Sequence, residues 1–393
     1  MFLPSLNSGV VYWRLYNFAK AMDKHRIAYQ HMLWWQRDLN ELHPWQIDIA
    51  KPEFRARIIN ELWDAVQKAD VVVMQAVQTK EALDLFLSIK DLFSDKFPEK
   101  KLLLELDDNY ISAPTYNPAH SFYAPNEPLR KLVIRQLETA DGVIVSTPYL
   151  KQVYSDFNGN IIVAPNSIDF ELWGKAKRKR LPGIRIGWSG GASHEEDLRI
   201  IEPVVRSILA KHPEVTFNFV HGIPEFLRGI DRVECVGKFA RIDKYPQHIA
   251  SQGWDIALAP LVDNAFNRGK SNLRWLEAAA LGIPCVASKV GHFADTIRDG
   301  IDGFLAEASR DFENYLEVLI RDSKLRRLMG QEAKDRVLRD FNVEITARKY
   351  AEDVRALVDK VQVIPPQTVE WIGIDATGEV AIPLSAVAAG GNA

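Results

Sequence analysis

Apolar and polar positions along this chain switch repeatedly between two periods. Short, mainly apolar runs over 70–75, 101–106, 142–146 and 161–164 have the length of strands buried on both faces, the first by its continuous apolar stretch. Around them, the stretches over 53–68, 79–93, 129–139 and 148–154 place apolar residues at helical spacing. A short first strand should run into a small-residue loop ending at Gly9, with a helix over 10–22 and a second strand over 27–33. The pattern restarts at Ile184. Strands are expected over 184–188, 215–220, 232–236, 256–259, 283–287 and 303–306, with helices over 195–211, 245–251, 271–281, 293–298, 310–321 and 324–338. Repeated strand-then-helix units build a parallel, doubly wound sheet, so the expected class is α/β with two Rossmann-like domains. Their expected bounds are 1–165 and 183–341, joined by a linker over 166–182. A helix over 342–361 should return to brace the first domain, and a tail over 362–393 carries a possible β-hairpin around 370–382.

The stretch from Arg268 to Gly282 carries the most chemistry. Ser271 and Asn272 are good N-cap residues, and Gly282 with Pro284 closes the helix in the usual order. A helix start leaves N–H groups unpaired and carries about half a positive charge. Arg268 and Lys270 stand before it, so loop and helix form an anion site. Further along, Glu277 could accept hydrogen bonds from sugar hydroxyls. A phosphate seat and a hydroxyl clamp on one helix suit a nucleoside diphosphate; a capped surface helix with exposed cations is the plain alternative.

The glycines after the strand over 184–188 form a second loop: Gly187, Trp188, Ser189, Gly190 and Gly191. Gly190 and Gly191 would let backbone approach a phosphate. The same residues fit Gly-x-Ser-x-Gly, the nucleophile elbow, which would make Ser189 a hydrolase nucleophile served by Asp263 and His292. No His-Gly-Gly stretch supplies an oxyanion partner, which weighs against that reading. His194 could hydrogen-bond a phosphate or be a satisfied surface residue, and Glu195, Glu196 and Asp197 favour the helix start they occupy. Asp107 and Asp108 follow a strand end, where open α/β sheets place ligands. Adjacent acids point oppositely, so at most one of them is expected to face the cleft, where it would orient an acceptor. No third ligand stands near, so no metal is expected to be needed. His221, His248 and His292 read as structural.

Composition narrows this little. Of 393 residues, 47% are hydrophobic and 26% charged, with a net charge of −3, which gives no global field for nucleic acid or anionic lipid. Cys235 and Cys285 sit in apolar runs and read as buried thiols of a reducing compartment. No run is long and apolar enough to cross a membrane and no signal peptide is evident, so a cytoplasmic protein is expected. The basic run from Lys175 to Arg180 reads as solvated linker, or as a contact with an anionic acceptor or a membrane face.

Several pieces together resemble a known family. Ser8 with Gly9, Leu106 to Asp108, Pro165 to Asp169, Ile186 to Gly190, His194 with Asp197 and Leu198, Asp255 to Pro260, Asn267 to Ser271, Leu276 to Ala278, and Gly282 to Ala287 are similar to family-4, retaining, nucleotide-sugar-dependent glycosyltransferases. The resemblance reaches about residue 360 and is strongest over 184–305. It implies the GT-B architecture, with a UDP- or GDP-sugar on the second domain, the acceptor mainly on the first, and no cofactor beyond the donor. Lys270, Ser271 and Asn272 would meet the diphosphate, with Gly190 and Gly191 opposite; Glu277 would grip the ribose. Ser8, Gly9 and Arg268 join the donor-side residues, while Asp107, Asp108, His194 and Lys270 are the catalytic candidates. A leaving phosphate oxygen is expected to take the acceptor proton. The family pattern departs at Gly269, where many members have glutamate, and at Gln75, where many have histidine. A nucleotide-sugar epimerase or a noncatalytic glycan-binding protein on the same fold are the alternatives. The acceptor could be a saccharide, a lipid-linked saccharide, a protein or a modified nucleic acid.

Overall fold

The computed structural model describes residues 1–3, 9–24, 62–76, 80–116, 120, 127–191, 194–220, 222–237 and 242–360. Ser8, His221, the strand expected over 27–33, most of the helix over 53–68 and the hairpin over 370–382 lie outside them. Two parallel sheets organise the rest. The first orders β1 (Phe2–Leu3), β2 (Val71–Gln75), β3 (Lys101–Leu106), β4 (Gly142–Val145) and β5 (Ile161–Val163) as they occur in the chain. The second contains β6 (Ile184–Ser189), β7 (Val215–Val220), β8 (Val233–Val236), β9 (Ile256–Ala259), β10 (Cys285–Ser288) and β11 (Phe304–Ala306). Its order is β11-β10-β9-β6-β7-β8, all parallel. The α/β class read from the alternating periods is therefore the observed one.

Strand burial follows the apolar runs except in β5, an edge strand expected to be buried on both faces, where Ile162 and Val163 are half-buried. Every residue of β3, β4, β9 and β10 is buried. Glu105 breaks the apolar rule inside β3 and is solvent-free. It accepts from Arg14 Nε at 2.6 Å and from Gln75 Nε2 at 3.2 Å. Arg14, also buried, donates through Nη1 to Ala164 O and to Asn166 Oδ1. A charge taken out of water is tolerated only with such partners.

The chain's first helix serves both cores. Residues 9–24 are helical, with a π turn over Tyr12–Tyr16 between Gly9–Val11 and Asn17–Lys24. Tyr12 and Trp13 pack with Trp173 and Trp254 beside the second sheet, while Leu15, Phe18 and Met22 pack beneath the first. The helix Val343–Lys360 lies against that same underside, where Tyr350 stacks on Phe18 at 4.9 Å and 22°.

Four sequence expectations change. The single helix over 195–211 is two, Glu195–Arg199 and Glu202–Lys211, because Pro203 has no N–H for the preceding turn and its ring would clash there. Cys235 is exposed, since β8 is an edge strand; only Cys285 is buried. The basic run is not wholly solvated: Arg178 donates to the carbonyls of Trp254 and Gly282, and burial holds its guanidinium below its usual pKa. A short helix, Phe170–Trp173, also interrupts the stretch over 166–182.

Tyr350→Ala should open a cavity beneath the first sheet and cost about 3 kcal/mol of unfolding free energy, read from urea denaturation midpoints.

Candidate active site

The helix Leu273–Ala280 begins where the two sheets meet. Leu273, Leu276 and the alanines favour helix, and the buried face carries Trp275, Leu276 and Ala279. Gly282, at φ 67°, ends it: its N–H reaches Ala279 O at 2.8 Å and the Ile283 N–H reaches Ala278 O at 2.9 Å, the paired closure that needs a left-handed residue. At the other end Asn272 holds the N-cap position without capping. Its side chain turns inward, Nδ2 to Thr296 Oγ1 at 3.3 Å, and is solvent-free. The capping role expected of Ser271 and Asn272 side chains is thus not the one observed.

The residues before this helix reach the first sheet. Lys270 Nζ lies 2.8 Å from both carboxylate oxygens of Asp108 and 4.5 Å from the Phe266 ring centre. Ser271 Oγ accepts from Asn166 Nδ2 at 2.9 Å. Asn109 Nδ2 donates to Ala265 O, and Thr147 Oγ1 to Gly269 O. Arg268 ends the short helix Ala265–Arg268 and is engaged with Asp263 through Nε and Nη2, at 2.6 and 3.0 Å, on the exposed side. Gly9 opens the first helix.

Behind the helix start, β6 has β7 on one side and β9 on the other, so the carboxyl ends of β6 and β9 flank the point where the winding reverses. Ligands of open α/β sheets bind at such points. Gly190 and Gly191 leave β6 here. A Cβ on Gly190 would fall 2.5 Å from the Trp188 ring and 2.8 Å from Arg274 Nη2, so no larger residue fits; Gly191 is open. Arg274 Nε donates to Ser189 O at 2.9 Å and its guanidinium lies over Trp188. Tyr245 OH sits 2.8 Å from Ser189 Oγ and 3.4 Å from Glu277 Oε2. Burial pushes the Glu277 carboxyl up from 4.5 to about 8, with Arg274 and Tyr245 pulling it back.

His194 is buried, contrary to a surface residue, and its Nδ1 lies 2.7 Å from Asp197 Oδ2. The other Asp197 oxygen accepts from Val262 N and Asn267 Nδ2, both at 2.8 Å. Burial and the nearby Arg274 charge lower His194 to about 4, so the ring is neutral at pH 7. In the tautomer that donates its Nδ1–H to the Asp197 carboxylate, Nε2 is an acceptor. That suits a hydroxyl and does not suit donation to a phosphate. Asp107 accepts from Tyr110 OH at 2.9 Å, and burial, with the charges of Asp108 and Glu105, raises it to about 7 against the pull of Lys270. Of the two adjacent acids, Asp108 is the one that reaches the second half of the chain.

The structure thus brings Asp108, Lys270, Ser271 and Asn166 to one junction, and Glu277, Arg274, Tyr245 and Ser189 to the adjacent strand ends. Tyr245, Asn166 and the bracing role of Asp197 escaped the sequence; Arg274 was within reach, three residues before Glu277 on the same helix. The hydrolase arrangement is not formed among the described residues. Ser189 faces Tyr245, Asp263 faces Arg268, and the ring nitrogens of His292 are buried without a hydrogen-bond partner. No cluster of three or more potential metal ligands occurs among the described residues, and none of their helices is long and apolar enough to cross a membrane.

Comparison with known proteins places this geometry. HepE of Anabaena, solved with UDP and glucose, superposes with a TM-score of 0.60 at 16% identity, over 90% of this chain and 99% of that one. Sucrose-phosphate synthase of Thermosynechococcus elongatus superposes with a TM-score of 0.63 at 16% identity, over 91% and 98%. The fold is GT-B. Residues 273–336 match the model for Glycosyl transferases group 1. N-acetyl-alpha-D-glucosaminyl L-malate synthase of Bacillus anthracis is 32% identical over 97 residues, which is 24% of this chain and 26% of that protein. The chain thus carries a group 1 glycosyl transferase segment on a GT-B fold, and the match spans about a quarter of that relative's length.

The raised Glu277 carboxyl has a consequence for stability. Between pH 4.5 and about 8 the folded protein keeps a proton that the unfolded chain has released, so stability falls as pH rises through that window. Glu277→Gln should remove this slope, worth on the order of a few kcal/mol, in urea melts taken from pH 5 to 8.

Proposed function

We propose that the protein transfers a sugar from a nucleoside-diphosphate donor, UDP-linked by preference, to an acceptor hydroxyl with retention of anomeric configuration. The observation that carries the reading is where the group 1 segment begins: a helix start at the junction of two parallel sheets, with Lys270 before it and Glu277 within it. In this reading 183–341 binds the donor, 1–165 binds the acceptor, 166–182 links them, 342–361 braces the first domain, and the tail over 362–393 has no assigned role. The UDP in the HepE structure supports the choice of donor.

Lys270 and the backbone N–H groups of the helix start would neutralise charge developing on the diphosphate as the bond to the anomeric carbon breaks. Ser271, Gly190 and Gly191 would line the same anion. Glu277 would accept the ribose hydroxyls, with Tyr245 and Arg274 setting its protonation and direction. The acceptor hydroxyl would lose its proton to a leaving phosphate oxygen on the same face, so no protein nucleophile is required. His194, neutral and accepting through Nε2, would take a sugar hydroxyl. Asp107 or Asp108 would orient the acceptor. Closing the cleft between the two sheets would exclude water from the donor.

Thermal-shift screening should show stabilisation by UDP or a UDP-sugar, and product analysis by NMR should show the donor's anomeric configuration kept. Lys270→Ala should lower transfer by about 100-fold or more, and Glu277→Ala should mainly raise the donor KM. Undiminished turnover in both variants would remove these residues from the site.

A further inference from the structure

Lys270 belongs to the loop before the group 1 segment, yet its ammonium faces a carboxylate of the other sheet. Two of its three N–H bonds are directed at Asp108, at 2.8 Å each. The side chains are 19% and 24% exposed, so the pair is open on one side and a solute can reach it. The neighbouring interdomain bonds are neutral: Asn109 to Ala265 O, Thr147 to Gly269 O and Asn166 to Ser271. They hold the loop against the first sheet without help from the charges, so Lys270 can change partners by side-chain rotation alone.

Resting on the donor reading above, we propose that Asp108 is a positioning residue that competes with the donor diphosphate for Lys270, so that donor binding frees its carboxylate for the acceptor hydroxyl. A diphosphate carries more charge than one carboxylate and accepts the same N–H bonds, so it wins Lys270 once seated. Asp108, stripped of its cation, then becomes the strongest hydrogen-bond acceptor on the first sheet's side of the junction. The exchange couples the two subsites and makes acceptor capture follow donor capture. Asp107 does not take part, because it bonds Tyr110 and makes no hydrogen bond to Lys270.

The test is isothermal titration of the full chain with UDP and with inorganic pyrophosphate. Removing the competitor should strengthen donor binding although it removes an acceptor-side acid. Asp108→Asn should tighten both ligands by about 5-fold, the effect of losing one partly exposed ion pair, while transfer to acceptor falls. Asp108→Ser, run beside it, should behave alike. Asp107→Asn alters the adjacent acid, which burial displaces toward its neutral form and which bonds Tyr110, and should change either Kd by less than about twofold. In a Lys270→Ala background, Asp108→Asn should have no effect on either ligand. The proposal is overturned if Asp108→Asn leaves Kd unchanged or weaker, if Asp107→Asn tightens as much, or if the gain persists without Lys270. Wild-type binding of UDP without the Asp108→Asn gain would overturn the competition alone; binding of neither ligand would overturn the donor reading with it.

Discussion

The loop over 265–272 is fastened to the carboxyl edge of the first sheet by side chains from three of its connections, Asn109, Thr147 and Asn166, and the Lys270–Asp108 ion pair lies beside them. This attachment fixes where the helix Leu273–Ala280 begins, and therefore where its N–H groups and Glu277 stand. The attachment is itself held from behind. Asn166 is gripped by Arg14, and Arg14 is neutralised by Glu105 in the middle of the first sheet. A buried charge pair in one core is thus connected, through one asparagine, to the loop that opens the helix Leu273–Ala280 of the other. Losing either partner would strand a charge out of water, which is far costlier than the pair is worth as glue.

Burial then governs the chemistry. Glu277, His194 and Asp107 are all displaced toward their neutral forms, with desolvation the largest cause in each. Lys270 and Asp108, more exposed, face each other as opposite charges. The site therefore contains groups that can change hydrogen-bond partners cheaply beside groups whose charge state depends on what enters. Two cations at the site are already engaged, Lys270 with Asp108 and Arg274 with Ser189 O, beside the groups that burial keeps neutral.

The first helix shows how one element can serve two cores. Its π turn brings Tyr12 and Trp13 toward Trp173 while Leu15 and Phe18 remain on the first sheet's underside. Trp173 in turn meets Tyr245 edge-on at 6.1 Å, and Tyr245 touches Glu277. Large rigid rings are suited to such a link, since they have few rotamers to lose and much area to bury.

Period alone determined the α/β class, the position of most strands within a residue or two, and the helix that carries Glu277, because parallel strands buried on both faces must be apolar and short. Composition also suggested the glycines at 190 and 282, whose roles follow from missing side chains and left-handed backbone. Pairing across the chain was not in the sequence. That Lys270 would meet Asp108, that Arg268 would be taken by Asp263, that His194 would be buried on Asp197, and that β8 would be an edge exposing Cys235 are all decided by which strand lies beside which. Local pattern says which face of an element is apolar. Only the packed structure decides which charge that face brings within 3 Å of another, and how much water is left between them.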